Sequence, residues 1–330
     1  MITYLLRRVA FMVVTVLAIS VASFAIIQLP PGDYLTALQA QLASQGDSIN
    51  EAQLRALEAR YGLNDPIYVQ YLKWIGGILL HGDFGQSFEW NRPVADLLAD
   101  RLPLTIGISV LTLLFTWAVA FPIGVYSAVK PYSIGDYTVT TLGFLGLAIP
   151  NFLLALILMF IAFKVFGQDL GGLFSPEFAA SDWNLGKLLD LFSHLWVPVV
   201  VLGTAGTAGL IRILRANLLD ELRKPYVVAA RARGAHERRL VIKYPLRVAL
   251  NPFISTVGWV LPALISGEVI VAQVLSLPTT GPVMLQALLS QDMYLAGSVL
   301  FIVSVLTVIG TFLSDLLLAW IDPRVRHGHG

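Results

Sequence analysis

Apolar blocks near or above twenty residues alternate with polar stretches along almost the whole chain. The first block, Val9–Leu29, follows Arg7 and Arg8 and ends in Leu29-Pro30-Pro31-Gly32-Asp33. Its apolar run is longer than a signal peptide's core and ends in a proline–glycine turn, so it predicts a retained helix. Further blocks cover Leu104–Val129, about Tyr137–Phe163, about Val248–Val271 and about Leu295–Trp320. A shorter one, Leu195–Leu210, is the weakest, because Gly203, Thr204, Gly206, Thr207 and Gly209 dilute it. A helix crosses roughly 30 Å of hydrocarbon with about twenty residues at ~1.5 Å each. The pattern therefore predicts an all-α integral membrane protein with six transmembrane helices.

The polar stretches differ in kind. Residues 30–101 are too many for a simple loop. Ser48-Ile49-Asn50-Glu51 is a capping-box pattern that opens a helix, Leu54, Leu57 and Tyr61 share one face of it, and Gly62 is placed to stop it. Gly82-Asp83-Phe84-Gly85 and Arg92-Pro93 predict turns. Together these predict a small folded cap between the first and second helices. The stretch Gly167–His194 offers no interpretable motif, and the chain has no convincing internal repeat.

Composition sharpens the class. Hydrophobic residues make up 56% and charged residues 13%, against about 25% charged in an ordinary soluble domain. The net charge of +1 conceals a strong segregation. Six spans leave both termini on one side, with Arg7, Arg8, Lys130, the ten cations from Arg212 to Arg247, Arg324 and Arg326, or 15 of the 22 basic residues. The positive-inside rule places that side in the cytoplasm. The expected organisation is a cytoplasmic N-terminus and first helix over 1–29, an extracytoplasmic cap region over 30–101 and a five-helix core over 102–320. That core carries a cytoplasmic loop at about 220–247, and a cytoplasmic tail follows over 321–330.

Enzyme chemistry is absent from this pattern. The only Gly-Lys pair, Gly186-Lys187, precedes Leu188, so no phosphate-binding loop exists. Neither H-E-x-x-H nor G-x-S-x-G occurs, and the absence of cysteine excludes thiolate chemistry. The terminal His327 and His329 read as a frayed end rather than a metal site. Within the spans lie two acids, Glu268 and Asp315, and buried acids there are costly enough to carry a role. Glu268 either lines a pathway or pairs inside the bundle. Asp315, near the cytoplasmic end of the last span, is expected to meet an arginine or lysine. Pro122, Pro150 and Pro262 interrupt spans, and Ile149-Pro150-Asn151 sets a freed carbonyl beside a polar side chain. Pro150, Asn151 and Glu268 are thus candidate pathway-lining residues, a packed kink being the alternative. The Gly203, Gly206, Gly209 series reads as a close helix contact.

The most basic stretch, Tyr226–Pro252, interleaves only two aromatics, Tyr226 and Tyr244, with its cations, which argues against nucleic acid. Lipid headgroups suit the cations. They do not account for Ala229, Ala230, Ala232 and Gly234, which predict a short thin helix with a glycine stop. Such a helix fits a groove on another protein, with Arg231 and Arg233 at the rim.

Val228-Ala229-Ala230-x-x-x-Gly234 resembles the EAA loop of permease subunits in ATP-binding cassette importers. The flanking Tyr226–Ala235 and Leu246–Pro252 are similar to the dipeptide, oligopeptide and nickel branch. The likeness runs through Leu29–Asp33, Tyr61-Gly62-Leu63-Asn64-Asp65-Pro66, Gly82–Ser87, Arg92-Pro93-Val94, Ile149–Phe152 and Asp322-Pro323-Arg324-Val325-Arg326, in order. Where the loop's namesake glutamate stands in the family, this chain has Val228.

The resemblance implies a permease of a prokaryotic plasma (inner) membrane. It would pair with a second homologous permease, two ATPase subunits and an extracytoplasmic solute-binding protein. ATP and Mg would reside on the ATPases, with no cofactor on this chain. Ala229, Ala230 and Gly234 would lie on a coupling helix, with Arg231 and Arg233 on its rim. A stand-alone secondary transporter driven by an ion gradient is the competing class. Solutes in the branch range from peptides to nickel complexes, glutathione and oligosaccharides.

Overall fold

A computed structural model describes residues 2–28, 65–87, 89–168, 170–179, 181–182, 184–255 and 269–321. It is helical almost throughout: α1 (Ile2–Gln28), α2 (Ile67–Gly76), α3 (Val94–Val129), α4 (Ile134–Ala148), α5 (Asn151–Phe166), a short α6 (Pro176–Ala179) and α7 (Leu185–Leu222). Then follow α8 (Pro225–Ala232), α9 (Glu237–Lys243), α10 (Pro245–Ser255), α11 (Val269–Val274), α12 (Thr280–Leu289) and α13 (Met293–Ile321).

Among the described residues, four helices are long and apolar enough to cross a membrane: Leu6–Gln28, α3, α7 and Met293–Trp320. The third expected span is instead two helices, α4 and α5, bent by 102°. The physical cause is Pro150, which pushes the preceding residue out of helical backbone; Ile149 is extended at φ −84, ψ 120. The span expected to be weakest lies within α7, the longest of the described helices, with 38 residues and Pro198 inside it. Of the fifth expected span, residues 256–268, with Pro262 and Glu268, lie outside the described residues, as does the Ser48–Gly62 helix.

The chain forms two compact units. One comprises residues 1–8, 104–278 and 307–330, the other 9–103 and 279–306. In the first, α7 packs against α4, α5, α10 and α11. Its Val201 and Leu202 belong to one buried apolar cluster, and its Leu214 and Leu218 to a second. Gly203 and Gly206 meet α3: a Cβ at Gly203 would lie 2.5 Å from Phe115 Cδ1, and one at Gly206 3.5 Å from Thr116 Cγ2. Gly209 has nothing within 4 Å, so the expected glycine contact holds for two of the three positions. Asp315 Oδ2 pairs with Arg8 Nη1 at 2.8 Å, as its place near the span end suggested.

The second unit contains α2, α12 and a two-stranded hairpin, Gln86–Ser87 with Arg92–Pro93. Arg92-Pro93 is therefore a strand, and the chain reverses just before it, where Asn91 takes φ 47. Pro93 fits there because a short edge strand need not use its missing N–H. Buried Asp292 ties this hairpin to α13: Oδ2 accepts from Ser87 Oγ at 2.5 Å and Oδ1 from Leu295 N at 3.2 Å. Trp74 of α2 packs against Phe24 and Phe301, ring centroids 5.7 Å from each.

Candidate functional site

The basic stretch folds into a small helical unit with a core of its own. Pro225 sits in the first turn of α8, where its absent N–H costs nothing. Lys224 before it is extended at φ −67, ψ 145, as a residue preceding proline must be. Val227 is fully buried and packs with Leu240 and Val241 of α9, joined by Leu222, Ala230 and Ala235. Gly234 ends α8 at φ +81, a left-handed backbone that disfavours any residue with a Cβ. Its N–H donates to Arg231 O at 3.0 Å, and Ala235 N donates to Ala230 O at 3.3 Å. These bonds close the helix end in the manner of a glycine C-cap.

The burial pattern divides the expected site. Val228, Ala229, Ala232, Arg233 and Gly234 are exposed, whereas Ala230 is half-buried on the inner side. The thin outer face is thus Val228, Ala229 and Ala232. Arg231 does not stand free at a rim, because its Nε donates to Glu237 Oε1 and its Nη2 to Oε2 at 3.2 Å. That fork holds the Glu237 carboxyl below the usual carboxylate range and raises the Arg231 guanidinium. Of the two rim arginines, Arg233 is exposed at the α8 end.

The second set of expected residues centres on the break. Pro150 caps α5, its carbonyl accepting from Leu153 N at 2.9 Å and Leu154 N at 3.0 Å. Pro150 is exposed and Asn151 half-buried in the first turn of α5. Glu268, the third candidate, lies outside the described residues. Pro150 and Asn151 are sequence neighbours at the start of α5, which packs against α7 and α11. No group of three or more His, Asp or Glu fit to hold a metal occurs among the described residues.

Sequence reasoning missed a buried ion pair. Arg215 on α7 donates from Nε to Asp136 Oδ1 at 3.0 Å and from Nη2 to Oδ2 at 2.8 Å. Asp136 is 3% exposed, and its Oδ2 also accepts from Tyr132 N at 2.9 Å. Ser133 caps α4 by accepting from Asp136 N at 3.2 Å. The Ser133-x-x-Asp136 spacing could have marked the helix start, but nothing local points to a partner 79 positions away. Beside the pair, between α4 and α7, lies a cavity of about 230 Å³ lined by Tyr137, Phe144, Leu147, Ile211 and Arg212 among others. Also unread was the start of α7, where Asn184 caps by accepting from Lys187 N at 2.8 Å. Asp190 there accepts from Ser175 N and Oγ at 2.8 and 2.7 Å.

Residues 120–327 match the family described as binding-protein-dependent transport system inner membrane component, and residues 1–109 match its N-terminal counterpart. The oligopeptide transport system permease protein AppB of Bacillus subtilis (strain 168) is 37% identical over 329 residues, covering 99% of this chain and 100% of that one. The dipeptide transport system permease protein DppB of Escherichia coli (strain K12) is 28% identical, with 99% of each covered. The peptidoglycan transport system permease protein YejB of Agrobacterium fabrum (strain C58) is 30% identical, covering 98% of this chain and 97% of that one. Among solved structures, a chain of the MetNI methionine ABC transporter in inward-facing conformations has the same fold. Its TM-score is 0.53 at 18% identity, over 68% of this chain and 96% of that one.

Proposed function

The chain belongs to the family of binding-protein-dependent transport system inner membrane components, and on that premise we propose that it forms half of the translocation pathway of a peptide importer. It is a membrane permease subunit of an ATP-driven importer and not itself an enzyme, since hydrolysis belongs to separate ATPase subunits. The peptide class follows the relatives named as oligopeptide and dipeptide permeases. The assembly we propose adds a second homologous permease, two ATPase subunits that hold ATP and Mg, and an extracytoplasmic binding protein. Both termini and α8 lie on the cytoplasmic side, as the basic residues favour.

The observation that carries the reading is α8 itself. It is a short exposed helix with a thin outer face, stopped by Gly234, and it rests on Val227, Leu240 and Val241 rather than on flexible chain. Ala229 and Ala232 fit a shallow groove on an ATPase, and Arg233 reaches its acids or carbonyls. Val228 stands where the family's loop carries glutamate and is 52% exposed, so contact at that point is apolar rather than ionic. Arg231 serves the helix from within by clamping α9. Along the chain a push on α8 passes to α7 through Arg223 and Lys224, and Lys224 N donates to Glu221 O at 3.1 Å.

The test is purification with its ATPase and permease partners, followed by uptake into proteoliposomes. The reading expects peptide uptake that requires both ATP and the loaded binding protein. Uptake on a proton or sodium gradient without ATPase subunits would establish the secondary transporter instead.

A further inference from the structure

We propose that the Asp136–Arg215 pair is a positioning link that makes α4 move as one body with α7, so that displacement of α8 reaches the break at Ile149-Pro150. The inference rests on the importer reading above. Arg215 lies seven residues before the end of α7 at Leu222, about 10 Å along the axis at ~1.5 Å per residue. Asp136 lies in the first turn of α4, whose last residue, Ala148, precedes the 102° bend. The two helices run antiparallel and meet at three levels. At one end stands the two-pronged ion pair. Further along, a Cβ on Gly143 would lie 3.3 Å from Ala208 Cβ, and one on Gly146 would lie 2.7 Å from Thr204 Cγ2.

The glycine contacts let the two backbones approach closely but supply no directional bond. The ion pair resists sliding, because a planar guanidinium on a carboxylate is satisfied in one geometry. Every polar atom of the Asp136 carboxylate is engaged: Oδ1 by Arg215, Oδ2 by Arg215 and by Tyr132 N. The Arg215 guanidinium also lies 5.9 Å from the centre of the Tyr132 ring. The link therefore holds both α4 and the turn that leads into it. A 15-residue helix fixed at its first turn acts as a lever on its last.

The experiment uses the complete importer in proteoliposomes and measures uptake and ATP hydrolysis together. Arg215→Lys keeps the charge but loses the fork. It is expected to leave assembly, ATPase rate and the half-saturating concentration of loaded binding protein near wild type, while peptide carried per ATP falls about tenfold, within the ~5- to 150-fold range of ordinary coupling energies. A second variant replaces the link covalently. Gly143→Cys with Ala208→Cys lies close to the ~3.5–4.5 Å Cβ separation of a disulfide, and the chain has no other cysteine. Oxidation of that pair should leave transport intact in an otherwise wild-type chain and restore coupling in the Arg215→Lys chain. Wild-type coupling in Arg215→Lys would overturn the proposal, as would loss of transport on oxidation in the wild-type background. If instead the unmutated complex shows no ATP-dependent uptake, it is the importer reading that fails.

Discussion

Gly234 shows how one residue can set an interface. A Cβ there would meet nothing within 4 Å, so room is not the constraint; the backbone at φ +81 is. Gly234→Val should introduce about 1–3 kcal/mol of backbone strain at the α8 end. The expected result is basal ATPase activity with peptide uptake largely lost, in a subunit still present in the membrane. Gly234→Asn, which tolerates left-handed backbone, should retain most uptake. Glu237 makes a prediction about pH. Its folded-state pKa is lowered by the Arg231 hydrogen bond, so its contribution is complete above the unfolded value and is lost as pH falls through the folded one. Amide exchange in residues 225–243 should thus show unchanged protection from pH 8 down to about 5, and Glu237→Gln should loosen the same amides throughout that range. A loss of protection between pH 7 and 6 would contradict this assignment. Among single residues, the EAA-like pattern and the glycine stop were legible in the sequence, because helix ends are local. That Ala230 faces inward and Arg231 is engaged was not, since both depend on where α9 folds back.

At the scale of elements, the glycines of α7 divide by what each faces. Gly203→Ala pushes a methyl against Phe115 and Thr116 and should cost about 1–3 kcal/mol, the range for overpacking. Gly209→Ala enters open space and should raise helix stability by up to ~1 kcal/mol. Thermal unfolding in detergent checks both, with the first lowering the midpoint and the second leaving it level or higher. The same contrast explains why α7 looks weak in sequence. Glycine and threonine lower hydropathy in a window, yet they are what lets α3 approach. The polar turns at both ends of α7, from the Asn184 cap and on to Leu222, lie beyond the apolar block, so hydropathy cannot tell them from loop. Pro150 predicts a kink and produces a full break. Replacing it with alanine frees Ile149 to become helical, so α4 and α5 should tend towards one straight helix and transport should fall, whereas Pro122→Ala within the continuous α3 should be mild.

For the whole molecule, the charge segregation predicts orientation, and the lack of native cysteine makes it directly testable. A cysteine placed at Asn91 should react with a membrane-impermeant maleimide in intact cells. One placed at His236 should react only in inverted vesicles; the opposite pattern would reverse the assigned topology. What the sequence determined by itself was the class and the plan: apolar blocks that must lie in lipid, a biased distribution of cations, and an ordered set of motifs that identifies the permease family. These depend on composition and near-neighbour spacing, which any conformation of the chain carries. What only the tertiary structure decided is which groups act together. Asp136 with Arg215, Asp315 with Arg8, Asp292 with Ser87 and Gly203 with Phe115 are each brought together by folding across long stretches of chain. Hydropathy registers none of these pairings, because it counts how apolar a segment is and not which neighbour satisfies its few polar atoms.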